Sequence, residues 1–140
     1  MASSTVKIHE KIPSVTKVIT QESINLFESC GILERENIHN SPELARRRLG
    51  TTYPIASGRM SLAFASEALR KFFGPRVFNH SGTVNLKFLR PVKHGDTITV
   101  HGAVSQQQSV AKGTLVSVDV YCENQNGDKT AVGVGTAIVP

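Results

Sequence analysis

Residues 59–73 read RMSLAFASEALRKFF, and Gly74-Pro75 follows them directly. Met60, Leu62, Phe64, Ala65, Ala68, Leu69, Phe72 and Phe73 spread over most of the circumference of a helix. Glu67, Arg70 and Lys71, with Arg59 near the start, leave only a narrow charged edge. A helix apolar on nearly every side belongs at the centre of a domain. Gly58 precedes it, and Gly74-Pro75 stops it, because proline cannot donate into a helical ladder. The stretch predicts one buried helix around which the rest of the chain folds.

Downstream of it, apolar residues alternate with period two. Val84, Leu86 and Phe88 share one face. Ile98, Val100 and Val104 make a second run with Gly102 between, Val116, Val118, Val120 and Cys122 a third, and Val132, Val134 and Ile138 a fourth. The breaks are turn formers: Arg90-Pro91, His94-Gly95-Asp96, Lys112-Gly113 and Asn126-Gly127-Asp128. Such strands form an antiparallel sheet covered on one side.

Upstream, Val15 to Thr20 reads as a short strand and Gln21 to Cys30 as a helix. Thr20 is its N-cap, Ser23 forms no capping box, and Gly31 stands at C′. A second helix runs to about Leu49. Ser41 is its N-cap, Pro42 its first residue and Gly50 its end. The polar residues 1–12 are expected to form a flexible arm, and residues 13–140 one domain without repeat or linker. The expected class is α+β: an antiparallel sheet wrapped around a central helix at about 59–73, with an N-terminal helical overhang. This is the layout of the hotdog fold, although a cystatin-like or other helix-on-sheet fold has similar periodicity.

A chain of 140 residues is long enough for a real core. No apolar run approaches the ~20 residues needed to cross a bilayer. Met1 to Lys7 lacks the apolar centre of a secretion signal. A cytoplasmic protein with no membrane partner is expected. Cys30 and Cys122 are far apart, with no CxxC and no Cys/His cluster, so no metal and no cofactor are expected. Each cysteine reads as a small buried hydrophobe. The formal charge of +5 suits an acidic partner. Nucleic acid is the weaker reading: apart from Arg46-Arg47-Arg48 the basic residues are scattered, and aromatics are only 6%. Gly133-Val134-Gly135 is no dinucleotide fingerprint, and neither a P-loop nor a GxSxG elbow is present.

Three segments carry a resemblance. His39-Asn40-Ser41-Pro42-Glu43-Leu44-Ala45-Arg46 resembles the HxDPExAR segment of the MaoC-like hydratase family. Pro54-Ile55-Ala56-Ser57-Gly58 is similar to its PIAHG segment, and Phe88 to Thr97, FLRPVKHGDT, to its RFxxPVxPGDT strand-turn-strand. They occur in the family's order and at about its spacing, over roughly Val15 to Val139. The resemblance implies (R)-specific, reversible addition of water across the double bond of a trans-2-enoyl thioester, carried on coenzyme A or an acyl carrier protein. It also implies a homodimer or higher homo-oligomer in which two sheets join.

His39 matches the family's catalytic histidine. Imidazole, with an unperturbed pKa of ~6.5, can take and return protons near neutrality. The plainer reading is an exposed loop histidine. Gly58 matches the glycine whose N–H faces the thioester oxygen, and it stands where a helix N-terminus favours negative charge. The plainer reading is a turn glycine. Ser57 beside it is a further candidate.

The family's aspartate lies five residues before its histidine, whereas the only aspartates here are Asp96, Asp119 and Asp128. Glu34 has that spacing and is the expected substitute. Glu36 is the alternative if Cys30-Gly31 aligns with the family's Ser-Gly, and Asn37 replaces the family asparagine one position away. The second family acid is replaced by Ser41, which reads as a helix cap. A rival enzyme reading is thioester hydrolysis with Glu67 on the central helix activating water. A third is a non-catalytic acyl-thioester binding or dimerisation domain, for which the missing aspartate argues. Arg46, Arg47 and Arg48 are candidates for contact with a coenzyme A phosphate or a carrier protein, or simply a solvated helix face.

Overall fold

The computed structural model describes residues 6–30 and 36–140. Its elements are β1 (Val15–Val18), α1 (Gln21–Ser29), α2 (Pro42–Leu49), α3 (Gly58–Phe73), α4 (Pro75–Ser81), β2 (Thr83–Phe88), β3 (Thr97–Val110), β4 (Gly113–Glu123) and β5 (Lys129–Val139). The strands make one antiparallel sheet in the order β1-β3-β4-β5-β2. α3 touches all five strands, and its Ala65, Ala68, Leu69 and Phe73 are completely buried. The sheet thus wraps the apolar helix, which is the hotdog arrangement, and α1 and α2 form the overhang between β1 and α3. Among the described residues no helix is long and apolar enough to cross a membrane.

β3 and β4 turn Val100, Val104, Val116, Val118, Val120 and Cys122 inward, as their alternation predicts. β5 departs from expectation. Its buried residues are Ala131, Ala137 and Val139, while Val134 is 40% exposed. The face of Val132, Val134 and Ile138 is the outer one. The reason is volume: Leu69 of α3 seats directly on Gly135, where a Cβ would come within 2.3 Å of Leu69 Cδ1. Small residues on β5 make room for the helix, and the bulky ones turn away.

Other local expectations are also corrected. Gly74-Pro75 ends α3 but does not lead straight into the sheet, because Pro75 at the first position starts α4. Thr20 and Ser23 do form a capping box: Thr20 Oγ1 accepts from the Ser23 N–H at 2.9 Å, and Ser23 Oγ from the Thr20 N–H at 3.0 Å. The serine hydroxyl performs the reciprocal contact usual for Glu or Gln. Cys122 is buried, but Cys30, at the C-cap of α1, is exposed. Gly31 lies outside the described residues. Within the expected arm, residues 9–12 are tied to β3: the His9 and Ile12 N–H groups donate to Val104 and Gly102, and Ile12 is 5% exposed.

The turn before β3 is built by the Gly95-Asp96 pair. Gly95 takes a φ of +89°, in the region that glycine enters without strain. The buried Asp96 then closes the turn, accepting from the Lys93 N–H and from Gln125 Nε2, both at 3.0 Å.

Candidate active site

The three motif segments meet at residues 55–58. The Ile55 N–H donates to the Ile38 carbonyl at 3.1 Å, and the Ala56 N–H to the Val92 carbonyl at 2.6 Å. The residue leading into the first segment is thereby tied to the second, and the second to the third.

His39 sits in the turn before the N-cap of α2. Its N–H donates to Asn37 Oδ1 at 2.7 Å, and its carbonyl accepts from Gln21 Nε2 at 2.9 Å. The ring is held too: Nδ1 lies 2.8 Å from the Ile55 carbonyl oxygen. A carbonyl can only accept, so Nδ1 carries the hydrogen, and Nε2 of the neutral ring keeps its lone pair. The side chain is 18% exposed, a half-buried position unlike the solvated loop histidine that was the alternative.

Nε2 faces Glu28, whose Oε1 is 3.9 Å away. Glu28 lies one turn after Ile24 on the buried face of α1. Its Oε1 accepts from Arg59 Nη2 at 2.9 Å, and Arg59 Nε reaches Ser57 Oγ at 3.3 Å. Glu28 Oε2 is buried and meets no donor among the described residues. An unsatisfied buried polar atom costs about 1–3 kcal/mol, and more when charged, so this oxygen marks Glu28 as a group whose placement calls for a reason beyond packing.

At the start of α3, Ser57 Oγ caps the helix by accepting from the Arg59 N–H at 3.1 Å. The Gly58 N–H has no acceptor among the described residues, as befits the first turn of a helix. Gly58 is not required by a left-handed φ. Contact requires it: a Cβ there would lie 2.7 Å from the Phe88 ring. Beside it opens a cavity of about 460 Å³, lined by Ile55, Ala56, Ser57 and Gly58 together with Phe88 and Leu89. Residues 55–58 thus line a mainly apolar space suited to a hydrocarbon chain, and Ile55 of the same run holds the His39 ring through its carbonyl.

The remaining candidates fall elsewhere. Glu34 lies outside the described residues. Glu36 is exposed and accepts from the Ser41 hydroxyl at 3.1 Å, while Ser41 Oγ caps α2 through the Leu44 N–H. Asn37 supports the His39 backbone, as described. Glu67 forms ion pairs with Lys17 at 2.9 Å and Lys71 at 3.2 Å; like His39 and Glu28, it is not among the residues lining the cavity. Hydrogen bonds from Lys17 and then Lys71 outweigh burial and hold its carboxyl below the usual range. Arg46, Arg47 and Arg48 are exposed in the last turn of α2, where cations suit the helix dipole. Sequence reasoning passed over Glu28 and Arg59. The spacing of Glu28 four residues after Ile24 was the available signal, since the two must share a helix face.

The model of the MaoC like domain matches residues 5–126. No curated protein is similar enough in sequence to match. Solved structures share the fold. The R-hydratase from Pseudomonas aeruginosa is 24% identical with a TM-score of 0.76, over 96% of this chain and 83% of its own. The (R)-hydratase from A. caviae involved in PHA biosynthesis is 17% identical with a TM-score of 0.77, over 99% and 100%. A monoamine oxidase regulatory protein from Archaeoglobus fulgius is 23% identical with a TM-score of 0.79, over 99% and 94%. The domain match over most of the chain, on a hotdog fold in which all three motif segments converge, leads to one assignment: the chain belongs to the MaoC-like domain family.

Proposed function

We propose that the protein is an enoyl-thioester hydratase, or dehydratase in the reverse direction, acting on a coenzyme A or carrier-protein thioester with His39 as its proton-transfer residue. The observation that carries this reading is the His39 ring itself, locked through Nδ1 onto Ile55 with Nε2 left as a base, on the run that ends in the free Gly58 N–H. In hydration, Nε2 takes a proton from water as the water oxygen bonds to C3. The electron pair of the double bond moves toward the thioester oxygen. There the Gly58 N–H and the N-terminal end of α3 offset the developing charge. The imidazolium then returns its proton to C2, so water is added and His39 is restored. Glu28, facing Nε2, favours the transient cation.

Hydrolysis by Glu67 has less support, because its carboxylate is engaged by two lysines. Homodimerisation fits the free edge of β2, where Phe88 and Leu89 are 50% and 47% exposed beside the cavity. The test is the purified protein on short trans-2-enoyl thioesters. Loss of the conjugated-enoyl absorbance is expected, and His39→Ala should slow it by ~10²–10⁴-fold. Unchanged turnover in that variant refutes the assignment. Release of free thiol instead would move the reading to hydrolysis.

A further inference from the structure

We propose that Glu28 is a catalytic residue of this site, holding the reacting water through Oε2, and that Arg59 is the positioning residue that anchors Oε1. The inference rests on the hydratase reading and names its missing carboxylate. Four observations support it. The Glu28 side chain is 4% exposed and faces His39 Nε2. Arg59 Nη2 takes Oε1 at 2.9 Å. Ser57 Oγ and the face of Phe27, 6.0 Å from the guanidinium carbon, hold Arg59 in turn. Oε2 is left buried without a donor among the described residues.

A water bound there donates one hydrogen to Oε2 and the other to Nε2, which leaves an oxygen lone pair to attack C3. Only the hydrogen on Nε2 is transferred. Glu28 keeps its charge throughout, and the water's second hydrogen remains on the new C3 hydroxyl. The carboxylate comes from a helix 11 positions upstream of His39 and is held by a guanidinium next to Gly58.

Glu28→Gln discriminates sharply. Arg59 can only donate, so the glutamine oxygen must take the place of Oε1 and its NH₂ the place of Oε2. A donor then stands where the water needs an acceptor. The expected result is a fall in kcat of ~10²-fold or more, a KM near wild type, and intact folding by circular dichroism. Arg59→Met should lower kcat with little change in KM, and Arg59→Lys should restore part of it, which a merely structural arginine would not require.

If the wild type hydrates the substrate and His39→Ala does not, a Glu28→Gln variant with wild-type kcat overturns the proposal and leaves the hydratase reading standing. If the wild type hydrates nothing, the hydratase reading fails, and Glu28 is judged by crystallography alone. A water within ~3.2 Å of both Oε2 and Nε2 then supports the site. A protein donor filling Oε2 overturns it.

Discussion

Replacing Gly135 by alanine should destabilise the protein through one contact. A Cβ on Gly135 would stand 2.3 Å from Leu69 Cδ1, 2.8 Å from Cδ2 and 3.1 Å from Cγ. Leu69 cannot retreat easily, because it is completely buried in the middle of α3. Forcing an extra carbon into a packed core costs about 1–3 kcal/mol. Removing a glycine from a strand interior returns about 0.5–1 kcal/mol, so a net loss of roughly 1–2 kcal/mol is expected. For a domain of this size each kcal/mol moves Tm by about 2–4 °C, which places the midpoint about 2–8 °C lower in a thermal melt. The control is the same change in a Leu69→Ala background. That truncation alone costs about 2–5 kcal/mol, but it clears the space over Gly135, so the added alanine should become neutral or stabilising. A coupling of about 1–3 kcal/mol between the positions is therefore expected. A Gly135→Ala variant as stable as wild type, or equally damaging in both backgrounds, would refute the seating of α3 on β5.

Two further outcomes follow from the charge and thiol environments. Glu67→Gln should cost less than about 1 kcal/mol at neutral pH, because its lysine partners are partly exposed. The folded-state pKa of Glu67 is lowered by those lysines. Its contribution is therefore complete above the unfolded-state value and is lost as pH falls through the folded-state value. Urea titrations of both proteins should converge on acidification, and a gap that widens in acid would contradict the pairing. A thiol reagent should modify Cys30 in the native protein and Cys122 only after unfolding. Burial pushes the Cys122 thiol up to about 11, so it stays protonated near neutrality. Two rapidly reacting thiols in the folded state would refute the buried placement.

The elements legible in the sequence are those with local causes. The apolar circumference of residues 59–73 required burial, and Ser41-Pro42 and Gly50 bounded α2 through groups only a few residues apart. The alternation of β3 and β4 was clear because every second residue there is bulky and faces inward. The same reasoning misread β5. Gly135 carries no hydrophobic signal, and its inward direction is set by Leu69, 66 residues earlier in the chain. α4 was missed because Gly74-Pro75 can end one helix and begin another with equal economy. Ser23 was not read as a capping-box partner because its contact needs a hydroxyl at short range, outside the Glu/Gln pattern.

At the candidate site the division has the same origin. Sequence by itself determined the segments around His39, Gly58 and Asp96, since their turns and caps are written within a few residues. It could not determine that residues 55–58 gather all three, nor which carboxylate faces the imidazole. Glu34 and Glu36 were the sequence neighbours, yet Glu28 faces Nε2, and its Arg59 partner lies 31 positions away. Only the tertiary structure decided that pairing. A carboxylate's chemistry depends on its burial and on the donors around it, and here the donor is Arg59 at the start of α3, reaching Glu28 on α1.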